Sequence, residues 1–167
     1  MNALNPHIFR EYDIRGVAGK DLTESLVFDL GRIFASRLRK ELSLVTPPRV
    51  AVGRDGRLSS PQLAERLTAG LAQGGALVDD VGLVPSPGLY FAMHHFKADA
   101  GIMITGSHNP PDYNGMKMVK TSRPVYRDQI QELKQALVAE SFADHPAGAI
   151  HKADIHDSYL QRLIVDL

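Results

Sequence analysis

The sequence contains no cysteine in 167 residues. That excludes a disulfide framework, a thiolate nucleophile and a cysteine-built zinc site, and it removes any need for an oxidising compartment. Charge of one sign is lacking too, because 19 Lys and Arg balance 19 Asp and Glu. Without a long-range field, neither nucleic acid nor a membrane is favoured as a partner, and a small anion met by local positive groups is the better expectation. No apolar run approaches bilayer length, and the opening MNALNPHIFREYD lacks the apolar centre of a secretory signal. Cytoplasm is therefore the expected location. Histidine occurs seven times, but no His-x3-His pair is present, and His151 and His156 lie five apart, off a common helical face. A histidine-built metal site is not expected. Internal repeats and low-complexity tracts are missing as well.

What is present reads as one ordinary domain, long enough to bury about two thirds of its unfolded surface. Ile8 to Gly16 is compatible with a strand that delivers Tyr12 and Arg15 to a surface loop. Asp21 followed by Glu24 suits a capping box, ahead of Leu26, Val27, Leu30, Ile33, Phe34 and Leu38 at helical spacing. After Pro47-Pro48, Arg49 to Gly53 predicts a core strand, and Arg54-Asp55-Gly56-Arg57 a charged turn beyond it. Ser60 suits a helix cap with Pro61 at the first position, Leu63, Leu67 and Leu71 form the buried stripe, and Gly74-Gly75 stops the helix. Ala76 to Val84 is a further strand, and Pro85-Ser86-Pro87 opens a short helix in which Leu89, Phe91 and Met93 seek cover. Met116 to Val119 predicts a strand, and Ile130, Leu133 and Leu137 an amphipathic helix. This alternation predicts an α/β protein, a three-layer α/β/α sandwich with a mixed, mostly parallel sheet and right-handed crossovers. Ala143 to Ile150 has linker-like composition, and Asp157 to Leu167 resumes a helical pattern. The expected division is residues 1–150 as one domain and 151–167 as a connector and the start of another.

The chain is organised around Gly101 to Lys120, GIMITGSHNPPDYNGMKMVK. Ile102, Met103 and Ile104 read as a buried strand, Thr105-Gly106 allows a sharp turn, and Asn109-Pro110-Pro111-Asp112 can continue neither a helix nor a central strand. A rigid loop that presents the Ser107 hydroxyl and the His108 imidazole at a strand end is the result, where open α/β sheets place ligands. On spacing alone the stretch also reads as a plain hairpin connection, with Asn114-Gly115 as its turn. A serine-hydrolase elbow is disfavoured because G-x-S-x-G is absent.

TGSHNP, followed by DYNG and Lys117, resembles the phosphoserine loop of the α-D-phosphohexomutases, most closely the bacterial phosphomannomutase/phosphoglucomutase branch. YDIRG, GRDGR with SSP after it, and VGLVPSP are similar to that family's first domain and come in the same order. The resemblance implies that Ser107 is the phosphoserine and carries a phosphoryl group between the 1- and 6-oxygens of a hexose phosphate, mannose or glucose, through a hexose 1,6-bisphosphate. It implies His108 and Lys117 as catalytic neighbours, Lys117 stabilising charge or relaying a proton, and Tyr12, Arg15, Thr105 and Asn109 as substrate-binding residues. An arginine suits that task because its planar fork grips phosphate through two charge-assisted hydrogen bonds. It further implies Mg²⁺, held here only through the phosphoryl group of Ser107, since the DGDGDR-like metal loop of the family's second domain does not occur in this sequence. The family's domains two to four would be partners, and the 167 residues alone are expected to be inactive as a mutase. Phosphoglucosamine mutase, and a free-standing phosphate-binding or interaction module, are the alternatives.

Overall fold

The computed structural model describes residues 4–121, 123–140, 142–143 and 145–166. Its strands are β1 (Ile14–Val17), β2 (Arg49–Arg54), β3 (Leu77–Leu83), β4 (Ala100–Ile104), β5 (Tyr113–Lys120), β6 (Arg123–Pro124) and β7 (Ala149–Lys152). Its helices are α1 (Glu24–Glu41), α2 (Ser60–Gln73), α3 (Ser86–Phe96), α4 (Asp128–Val138) and α5 (His156–Asp166). The sheet runs β1-β5-β4-β2-β3-β7, with β6 on β5. β4, β2, β3 and β7 are mutually parallel, and β5 runs against its neighbours β1, β4 and β6.

Side chains alternate between the two faces of a strand, and that alternation separates two cores. Val50 and Val52 of β2, Ile102 and Ile104 of β4, and Met116 and Met118 of β5 face α1, α2 and α4. Ala51 and Met103 face the other way, toward Leu89, Ala92 and Met93 of α3 and toward Ile155. All five residues of β4 are buried, as a central strand covered on both sides requires. Two layers of helix around one mixed sheet match the predicted architecture.

Local signals were redirected at several points. Asp21 does not cap α1. Its carboxylate accepts the Asn5 side-chain amide and the Val17 N–H, and Thr23 takes the cap by accepting the Leu26 N–H at 3.3 Å. Ser60 lies inside α2 and spends its hydroxyl on Asp55. The strand expected from Ile8 is confined to Ile14–Val17, because Asn5 and Pro6 start a 3-10 turn over Pro6–Ile8. Asn114 and Gly115 are interior residues of β5, so the β4–β5 connection is the longer loop 105–112. The linker-like stretch ends in β7, which pairs with β3 through residue 152 and so spans the expected seam at 150. Leu167, the last residue of the helix expected from Asp157, lies outside the described residues.

Candidate functional site

β2 and β4 are adjacent and parallel, with Arg54 paired to Ile104 at their carboxyl ends. The segments leaving those ends, 55–60 and 105–112, therefore meet above the sheet, the place where such sheets bind ligands. The Asp55 N–H donates to the Ile104 carbonyl at 2.9 Å and fixes the junction.

Two proline residues deprive the loop 105–112 of a regular ladder, and side chains supply its hydrogen bonds instead. The guanidinium of Arg57 donates to four carbonyl oxygens: Nη1 to Pro110 and to Tyr113 (3.0 Å), Nη2 to Ser107 (3.0 Å) and Asn109 (2.7 Å). Asp55 Oδ2 accepts the Gly106 N–H at 3.1 Å and lies 3.4 Å from Arg57 Nε. Its other oxygen accepts the Ser60 hydroxyl and the Arg57 N–H. Burial alone would raise the Asp55 carboxyl. Donation from Ser60, the Arg57 amide, Thr105 and the Gly106 amide outweighs it and holds the group below its ordinary value. Buried Asn114 extends the network, donating to the Ser59 and Ser60 hydroxyls at 2.9 Å each.

Ser107 is exposed at the loop apex, in the left-handed region with φ of 52°. Its N–H donates to Thr105 Oγ1 at 2.9 Å, and the Thr105 N–H in turn donates to the Gly115 carbonyl. Asn109 folds back on the Gly106 carbonyl through both its backbone N–H and its side-chain amide. Arg15 arrives from β1, where it pairs with Gly115. Its Nη1 donates to Asn109 Oδ1 at 3.3 Å, while Nε and Nη2 donate to one oxygen of buried Asp13 at 3.2 and 2.7 Å. Asp13 Oδ1 is buried without a partner among the described residues.

Of the residues singled out in the sequence, Arg15, Thr105, Ser107 and Asn109 are thus joined by direct contacts around one loop. His108 is exposed on the same loop, and Lys117 is exposed on β5. Because Ile14 and Met116 face the α1 side, Arg15 and Lys117 share the opposite face of the sheet. Tyr12 is 64% exposed and stacks on Tyr126 with ring centroids 6.5 Å apart. Sequence reasoning missed Asp13, Asp55 and Arg57 as parts of the site. Asp13 had a readable signal, since a carboxylate two residues before an arginine on a strand lies on the same face. For Arg57 the charged turn Arg54-Asp55-Gly56-Arg57, expected to carry charge toward the cleft, was the signal, but its targets had none, because they are backbone oxygens fifty or more residues away.

Comparison with known proteins places this geometry. The family described as phosphoglucomutase/phosphomannomutase, alpha/beta/alpha domain I, matches residues 6–144. The phosphomannomutase/phosphoglucomutase of Pseudomonas aeruginosa is 42% identical over 160 residues, which are 96% of this chain and 34% of that protein. A phosphoglucomutase of Neisseria gonorrhoeae is 39% identical over 165 residues, 98% of this chain and 35% of its own. A crystal structure of a phosphoglucomutase/phosphomannomutase family protein from Burkholderia thailandensis superimposes with a TM-score of 0.89 at 41% identity, covering 98% of this chain and 36% of that one. The chain therefore spans about a third of the length of these relatives. With its matching motifs, matching fold and a family profile over most of its length, the chain belongs to the phosphoglucomutase/phosphomannomutase family, as its α/β/α domain I.

Proposed function

We propose that this domain carries the phosphoryl group of a hexose-phosphate mutase on Ser107 Oγ. The observation that supports this reading is an exposed serine at the apex of a loop whose backbone is otherwise tied down by Arg57, Asp55, Thr105 and Asn109. A free serine hydroxyl is a feeble nucleophile, so the resting form is phosphorylated and donates to sugar. The bond from Ser107 Oγ to phosphorus breaks as a hydroxyl oxygen of the hexose monophosphate bonds to phosphorus. The hydroxyl's proton ends on Ser107 Oγ, relayed by Lys117. The hexose 1,6-bisphosphate so formed returns its other phosphoryl by the reverse step. Arg15, held by Asp13, neutralises phosphate oxygens, and His108 orients the phosphate or the attacking hydroxyl. Thr105 and Asn109 hold the loop against the substrate, and Tyr12 borders the cleft. Mannose and glucose phosphates are the substrates this reading favours, in the cytoplasm. Among the described residues, no helix is long and apolar enough to cross a membrane.

Mg²⁺ belongs to the same reading, as a counter-charge for the phosphoryl oxygens. In this domain, among the described residues, no group of three or more His, Asp or Glu side chains is placed to hold a metal ion. The ligand it offers is the phosphoryl group on Ser107, with carboxylates coming from a second domain. Helix α5 supports such a neighbour: Leu160, Leu163 and Ile164, on one side of the helix, are all 43% exposed or more, an apolar face left uncovered.

The test joins this chain to domains two to four of the Pseudomonas aeruginosa relative and follows conversion of mannose 1-phosphate and glucose 1-phosphate. Turnover is expected with Ser107 present, with the phosphoryl group found on the Ser107 peptide by mass spectrometry. Ser107→Ala is expected to lower kcat by at least about 10³-fold. Undiminished transfer in the variant removes Ser107 from the role.

A further inference from the structure

We infer that Arg57 is the positioning residue for Ser107: its guanidinium fixes the serine backbone in the left-handed conformation that directs Oγ outward. This rests on Ser107 as the phosphoryl carrier, and it adds a residue whose guanidinium donates to backbone carbonyls of the serine loop. A residue with a side chain and φ near +50° sits in a sparsely populated region and stays there only where its surroundings over-determine it. Ser107 is held at both ends. Thr105 Oγ1 accepts its N–H at 2.9 Å, and Arg57 Nη2 donates to its carbonyl at 3.0 Å.

The arginine acts on more than one residue. By also taking the carbonyls of Asn109, Pro110 and Tyr113, it fixes the two proline positions relative to the serine. Arginine suits this because it has five N–H donors in a planar fork, and a lysine ammonium has three in a compact head. The fork is itself aimed from a firm base. Its side chain is 17% exposed, its Nε lies against Asp55, and the turn that carries it leaves the end of central strand β2. Gly106 supplies an independent observation: a Cβ there would lie 2.2 Å from both Cζ and Nε of Arg57. The residue before the serine is glycine because the guanidinium lies across it. Gly106→Ala therefore displaces the same fork that Arg57→Lys removes.

The experiment uses the 167-residue chain, labelled with ¹⁵N, as wild type, Arg57→Lys and Gly106→Ala. Solution NMR reads the intraresidue HN–Hα NOE of Ser107, which is strong only when φ is positive because the two protons then lie closest, and the amide exchange of Gly106, Ser107 and Ile102 to Ile104. In both variants the Ser107 NOE is expected to weaken to the level of residues with negative φ, and Gly106 and Ser107 amides to exchange at least about tenfold faster, with β4 amides within about twofold of wild type. A Ser107 NOE unchanged in Arg57→Lys overturns the inference. So does acceleration spread evenly through β4, which would make Arg57 a general stabiliser. Neither readout depends on turnover, so loss of this inference is distinguishable from failure of the Ser107→Ala assay.

Discussion

Asp13 grips Arg15 with a single carboxylate oxygen, Oδ2, which accepts both Nε at 3.2 Å and Nη2 at 2.7 Å. The carboxylate is buried and the guanidinium about a third exposed, so the pair presents a fixed cation at the surface. Two donors of the fork are spent on orientation. Nη1 reaches Asn109 on the serine loop.

Asp13→Ala should therefore release Arg15 without removing its charge. In the joined enzyme described above, kcat/KM is expected to fall by about 10- to 100-fold, the range that a misplaced binding group produces. Unchanged kinetics would show that the orientation set by Asp13 is not used.

The depressed Asp55 carboxyl makes the loop scaffold sensitive to acid. Because the folded-state pKa lies below the unfolded value, the bonds to Ser60, Arg57, Thr105 and Gly106 contribute stability that is full above about pH 4 and lost as pH falls through the folded pKa. Urea unfolding from pH 6 down to pH 2 should show a steeper acid loss in wild type than in Asp55→Asn. Parallel profiles would mean that Asp55 does not carry the dependence.

Helices α1 and α2 touch backbone to backbone. A Cβ on Gly70 would lie 2.0 Å from the Phe28 carbonyl oxygen. Gly70→Ala gains helix propensity but must push the helices apart, and a net loss of about 1–3 kcal/mol is expected, as for other overpacked contacts. Urea denaturation measures it, and a stabilised variant would show that the helices slide freely.

The uncovered face of α5 gives a prediction of the opposite sign. Ile164 is 66% exposed, and Ile164→Lys in the 167-residue chain should change stability by no more than about 0.5 kcal/mol. The same substitution in the joined enzyme should weaken docking of the second domain and reduce turnover. A large loss in the short chain would mean that the residue is covered within this domain.

Local pattern was enough to read most of the elements, because a helix or strand is marked by its own residues. Leu63, Leu67 and Leu71 have helical spacing whatever they pack against, and Ile102 to Ile104 between polar turns read as a short buried strand. The serine loop was legible for a similar reason: its two prolines and Gly106 carry their backbone restrictions with them. Where a local signal competed with a distant partner, the distant partner decided. Asn114 next to Gly115 favours a turn, yet its amide finds the Ser59 and Ser60 hydroxyls across the fold and stays in β5. Ser60 could cap a helix, yet it serves Asp55. The clamp on the loop belongs to this second class. Every residue has a carbonyl oxygen, so nothing in the chain marks the ones Arg57 will bind. They come within its reach when parallel pairing of β2 and β4 sets Arg54 beside Ile104.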